Sequence, residues 1–103
     1  MTVRHVVVWN LKGDSDEEKR QRFESLKPKL DALAGIVPGL LSLSVNYSTG
    51  PNPKNWDMCL ISDHESWEAL DTYANHPDHL TVAAFVSENV TSRAGADFDI
   101  STA

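Results

Sequence analysis

Apolar residues recur along the chain with two distinct periods. In "VRHVVVWNLK" (3–12) the period is two, and β-branched residues dominate, so this stretch reads as a strand. Alternation places Val3, His5, Val7, Trp9 and Leu11 on one face and Arg4, Val6, Val8, Asn10 and Lys12 on the other. Both faces carry apolar side chains, which predicts a strand covered on both sides. Between Ser15 and Gly39 the period changes to three or four, with Phe23, Leu26, Leu30, Leu33 and Val37 forming one helical stripe. Ser15 with Glu18 three residues later fits a capping box, and Asp16, Glu17 and Glu18 suit the positive end of a helix. Pro28 inside the stripe removes a backbone donor and predicts a kink, and Gly35, Pro38 and Gly39 end the element.

Alternation then returns. Leu41, Leu43, Val45 and Tyr47 oppose Ser42, Ser44 and Asn46 in a second strand (40–48), and "WDMCLISDH" (56–64) makes a third across the proline-bearing loop 49–55. A short helix, "ESWEALDTYANH", follows with Ser66 as N-cap. Pro77 suits the first turn of another helix, whose apolar stripe is expected from Leu80, Ala83, Ala84 and Val86 or Val90. The tail 91–100 reads as a weaker fourth strand. The order β-α-β-β-α-(α)-β is the split-βαβ arrangement of a ferredoxin-like α+β fold, one domain over residues 1–103. A four-stranded sheet with helices on one side leaves an apolar face open, and a second copy closing it predicts a homodimer that forms a dimeric α/β barrel.

Composition narrows the function classes. Nine basic against fifteen acidic residues give a net charge of −6, which disfavours phosphate backbones and anionic lipid, so neither nucleic acid nor membrane is an expected partner. The single cysteine, Cys59, has no basic neighbour and reads as a small buried thiol in a reducing compartment. The N-terminal stretch has no leader pattern, and a cytoplasmic setting is expected.

Candidate chemistry centres on histidine. His64, between Asp63 and Glu65 at a strand end, reads as a solvated boundary residue, and His76 before Pro77 reads as an architectural, N-cap-like one. His79 lies on the first turn of the last helix, where the dipole disfavours its cation, and a neutral imidazole is what a general base requires. Tyr73 on the preceding helix can turn to the same side, and His5 sits among apolar neighbours on its strand. His5, Tyr73 and His79 are therefore the candidate catalytic set; the alternative is three buried polar residues satisfied by local partners. His76 and His79 are separated by the proline and accompanied by no zinc-binding pattern, and no phosphate loop, nucleophile elbow or dinucleotide fingerprint is present. Trp9, Trp56 and Trp67 read as core and interface residues.

"HVVVWNLK", "VPG", "SDHESWEALDTY" and above all "HPDH" resemble the stress-responsive α/β-barrel (Dabb) family, over Val3 to about Ile100. The resemblance implies ferredoxin-like chains that dimerise sheet to sheet. It also implies a cofactor-independent cyclase or lyase-like activity on a small hydrophobic β-carbonyl, polyketide-like compound, as in the olivetolic acid cyclase of that family. In that reading His79 abstracts the proton between two carbonyls, Tyr73 orients His79 or holds the enolate, and His5 positions or polarises the substrate. The chain departs from the cyclase at Met58, where that enzyme has a further histidine, and at Leu26 and Lys27, where it has aromatics. The resemblance further implies a structural magnesium on the backbone carbonyls of Ala34, Val37 and Leu40. A non-catalytic stress-associated or ligand-binding dimer is the alternative function, and a cofactor-free monooxygenase a third.

Overall fold

The computed structural model describes residues 1–101. Four strands, β1 (Val3–Leu11), β2 (Leu40–Tyr47), β3 (Met58–His64) and β4 (Val90–Asp99), form one antiparallel sheet in the order β2-β3-β1-β4. Helices α1 (Asp16–Asp31), α2 (Trp67–Asn75) and α3 (Pro77–Asn89) pack on one face, giving the ferredoxin-like α+β architecture. Among the described residues no helix is long and apolar enough to cross a membrane.

The helices start where capping side chains satisfy otherwise unpaired N–H groups. Ser15 Oγ accepts from the Glu18 N–H, while the Glu18 carboxylate accepts from the Asp14 N–H. Ser66 Oγ accepts from the Ala69 N–H to start α2. His76 ends α2 and begins α3 at once: its N–H donates to the Tyr73 carbonyl, and its Nδ1 accepts from the Asp78 N–H. Pro77 then sits at the first helical position, where no donor is needed.

The core lies between the sheet and the helices. Val3, Val7, Trp9 and Leu11 of β1, Met58 and Leu60 of β3 and Val45 of β2 meet Leu26 and Leu30 of α1, Leu70 and Tyr73 of α2 and Val86 of α3. Truncating a fully buried leucine such as Leu26 costs about 2–5 kcal/mol. Pro28 does not divide α1, which runs through it to Asp31 and tightens into a 3₁₀ turn over Ala32–Gly35 that seats Leu33.

Several expected details shift. The β2–β3 register slips between Leu40 and Ser42, so Leu41 bulges out and is 54% exposed, and Leu40 takes its place facing inward. In α3 the inward side chains are Val82, Phe85 and Val86, whereas Leu80 and Ala84 face water and Val90 already belongs to β4. Trp56 lies outside β3, and Cys59 is half-buried on the open face of the sheet, not in the core. His64 is fully buried on the helix side of β3, the reverse of a solvated boundary residue.

The open face of the sheet carries Val6, Val8, Cys59, Ile61, Ala94, Ala96 and Phe98, crossed at one end by a two-pronged Arg4–Asp63 ion pair. Ile61 and Phe98 stay exposed in the single chain.

Candidate functional site

Three elements bring His5, Tyr73 and His79 to one cavity of about 480 Å³ between the sheet and helices α2 and α3. Val7, Trp9 and Leu60 of the sheet and Leu30, Leu70 and Val86 of the helices supply its apolar wall. His5, Asp97, Arg93, Tyr73, His79 and Ser87 supply its polar groups. A mostly apolar cleft with a few convergent polar side chains is the usual form of a small-molecule site.

His79 is placed by the junction between α2 and α3. The last carbonyls of α2 have no helical partner, and one of them, Ala74 C=O, accepts from His79 Nδ1 at 3.1 Å. A carbonyl can only accept, so Nδ1 carries the proton and the Nε2 lone pair is left free. Burial holds the His79 pKa below the usual 6.5; the Ala74 carbonyl opposes this, and the nearby His5, His76 and Arg93 reinforce it. The ring is therefore neutral and basic at a defined atom.

Tyr73 lies against His79, with ring centroids 4.3 Å apart and tilted by 44°. The phenol is almost fully buried, and burial alone raises its pKa to about 12, so it stays protonated as a hydrogen-bond donor. His5 approaches Tyr73 from the sheet at 6.1 Å between centroids. Its Nδ1 meets Asp97 Oδ1 at 2.5 Å, directly across the β1–β4 ladder. The carboxylate keeps the proton on Nδ1 and fixes the ring plane, the usual service of an acid behind a working imidazole.

Arg93, Asp97 and the role of His64 escape sequence reasoning. Asp97 is 92 positions from His5 and is recognisable only once β4 pairs with β1 in this register. His64 stands behind Tyr73, at 4.9 Å between centroids, with Nε2 at 2.9 Å from Ser62 Oγ. Its Nδ1 is the one buried side-chain nitrogen or oxygen without a hydrogen-bond partner among the described residues. Burial lowers the His64 pKa, helped by the neighbouring His5, while Asp63 and Asp97 act against the shift. The signal for His64 was its parity: it alternates in step with Met58, Leu60 and Ser62, all buried. His76, by contrast, acts as a cap, and Met58 and Leu26 lie in the core outside the cavity lining.

Among the described residues no group of three or more histidine, cysteine or carboxylate side chains could hold a metal ion. The turn carrying Ala34, Val37 and Leu40 offers neutral carbonyls, and that of Val37 already accepts the Leu40 N–H at 3.4 Å. The Glu65 carboxylate comes within 3.7 Å of where a Cβ on Gly39 would stand, so one charged oxygen is near the turn. This donor set suits a hard, partly hydrated cation, and none of the three residues lines the cavity.

The profile of the stress responsive A/B barrel domain (Dabb) matches residues 3–100, and the chain belongs to that family. None of the functionally curated proteins matches it in sequence. A dimeric protein of unknown function and ferredoxin-like fold from Bacteroides fragilis is 27% identical, with 96% of each chain covered and a TM-score of 0.85. The hydroxynitrile lyase of Passiflora edulis is 15% identical over 99% of this chain and 95% of its own, at a TM-score of 0.82. A cofactor-independent oxygenase from Streptomyces nogalater is 17% identical over 95% and 91%, at 0.74. The last two show the shared fold.

Proposed function

We propose that this Dabb protein is a cofactor-independent acid–base enzyme of cyclase or lyase type, acting on a small β-carbonyl, polyketide-like compound. The observation that carries the reading is the hydrogen bond from His79 Nδ1 to Ala74 C=O, which leaves a neutral Nε2 as a base beside a cavity of ligand size. A C–H flanked by two carbonyls is acidic enough for an imidazole to remove. In the first step that C–H breaks, the proton passes to His79 Nε2, and the electron pair moves onto a carbonyl oxygen. Tyr73 donates to the resulting enolate, and His5, held by Asp97, positions the substrate through its other nitrogen. Attack of the enolate carbon on a second carbonyl of the same molecule closes a ring, and the imidazolium returns its proton to the new alkoxide. No external electron carrier is needed.

Like the Bacteroides neighbour, the chain is proposed to work as a homodimer, with the apolar open face of the sheet as the contact. A magnesium on Ala34, Val37 and Leu40 would brace the turn before β2 and take no part in the cavity chemistry. An unpaired Cys59 accords with a cytoplasmic setting.

The test is deuterium exchange at the acidic carbon of a β-diketone such as acetylacetone. The expected result is a loss of about 10²–10⁴-fold in rate for His79→Ala, with Tyr73→Phe in between. Equal rates for wild type and His79→Ala overturn the base and leave a non-catalytic ligand-binding dimer as the function.

A further inference from the structure

Arg93 lines the same cavity from the edge strand β4. Of the four arginines, Arg4 pairs with Asp63, Arg20 with Asp16, and Arg22 donates to the Asn89 amide. Arg93 alone has no side-chain acceptor among the described residues. Asp97, two positions beyond Gly95 on the same face of β4, is committed to His5. The guanidinium lies over Gly95: a Cβ there would stand in ordinary contact, 3.5 Å from both Nη1 and Nη2. The planar fork is an unpaired cation on the lining of a largely apolar cavity that also holds His79.

We propose that Arg93 is a specificity-determining residue that binds a carboxylate on the substrate, so that the preferred compound is an anionic β-dicarbonyl with an apolar body. The inference rests on the reading of His79 as base and adds the substrate's charge. Guanidinium binds carboxylate through two parallel N–H···O bonds, which fixes orientation as well as adding affinity. Anchoring the acid group at the rim leaves the dicarbonyl carbon facing inward, and the apolar remainder packs on Trp9, Leu60 and Val86. The positive charge of Arg93 also reaches His79, which it helps keep neutral, and the same field favours an enolate beside that ring.

The experiment compares acetylpyruvate with its methyl ester, two β-dicarbonyls that differ in one negative charge. Deuterium exchange and isothermal titration are run on the full chain for wild type, Arg93→Gln and Arg93→Lys. Wild type is expected to show a KM for the acid about ten-fold below that for the ester, the size of one charge-assisted contact at a partly open site. Arg93→Gln removes that preference and Arg93→Lys restores part of it, with the change in KM rather than kcat. Equal binding of acid and ester by wild type, or a preference that survives Arg93→Gln, overturns the proposal. If neither compound exchanges faster with wild type than with His79→Ala, the base reading fails separately, and the titrations still decide the role of Arg93.

Discussion

The face of the sheet under the helices holds His5, Ser62 and His64 among its aliphatic residues, whereas the opposite face holds Val6, Val8, Ile61 and Phe98 where water meets the single chain. A buried polar group and an exposed apolar patch are the two departures from ordinary burial that carry information. Alternation forces each strand to serve both faces, so the same nine residues of β1 and seven of β3 encode two different tasks. The inner departures surround a cavity and an aromatic stack, and they have a chemical reading. The outer ones are continuous and nearly uncharged, and they have an associative one. A hydrophobic residue can therefore be the functional one, and a histidine can be the structural problem.

The largest effect expected on this contrast comes from the outer face. Val6→Arg places an unpaired charge in the middle of the proposed contact between two copies, and it should raise the dimer dissociation constant at least about 100-fold. Sedimentation velocity across a concentration series reads this directly; a variant that stays dimeric removes the sheet face as the interface. Next comes His64→Leu on the inner face. Made in a Ser62→Ala background, so that the buried Ser62 hydroxyl is not stranded without the Nε2 it bonds, it deletes the unpartnered Nδ1 and should leave the protein more stable by about 1–3 kcal/mol in urea titration, whereas a net loss would mean that the nitrogen has a partner such as a buried water.

The same variant sharpens the pH response. His64 and His79 both have folded pKa values below the usual 6.5, so the unfolded chain takes up protons that the folded chain refuses. Stability from this source is whole above that value and is lost as pH falls through it towards the lower folded values. The thermal midpoint should drop with acidification in wild type and drop less steeply in His64→Leu. Arg4→Ala is the smallest change: the Arg4–Asp63 pair has good geometry at 2.8 and 3.0 Å but is partly exposed and screened by solvent, so its loss should leave the urea midpoint of the single chain nearly unchanged.

Most of the fold was legible because its signals are local. Ser15 and Ser66 announce helix starts, Pro77 opens α3, and period two marks each strand. Leu41 was misassigned because one extra residue in a bulge reverses the side of the strand, and nothing in "LLSLSV" distinguishes Leu40 from Leu41 as the inward one. The stripe of α3 was displaced because Leu80 and Ala84, four residues apart, share the helix face turned to water. His5, Tyr73 and His79 were recognisable as a set, from the helix junction and from resemblance. Their orientation was not, since it depends on a carbonyl freed at the end of α2 and on a carboxylate across the ladder. His64 was hidden by its acidic neighbours Asp63 and Glu65, which suggested solvent, while strand parity pointed inward.

β4 has nine of its ten residues exposed, yet it supplies Arg93 and Asp97 to the cavity. Substitutions at such positions usually change stability by no more than about 0.5 kcal/mol. The base is anchored differently, through two helix ends and a cap shared between them, where a change disturbs packing. Descendants of this chain could thus exchange one acid group for another, or for none, by single replacements along an edge strand. The divergence of substrate range within such a scaffold would outpace any divergence of its reaction.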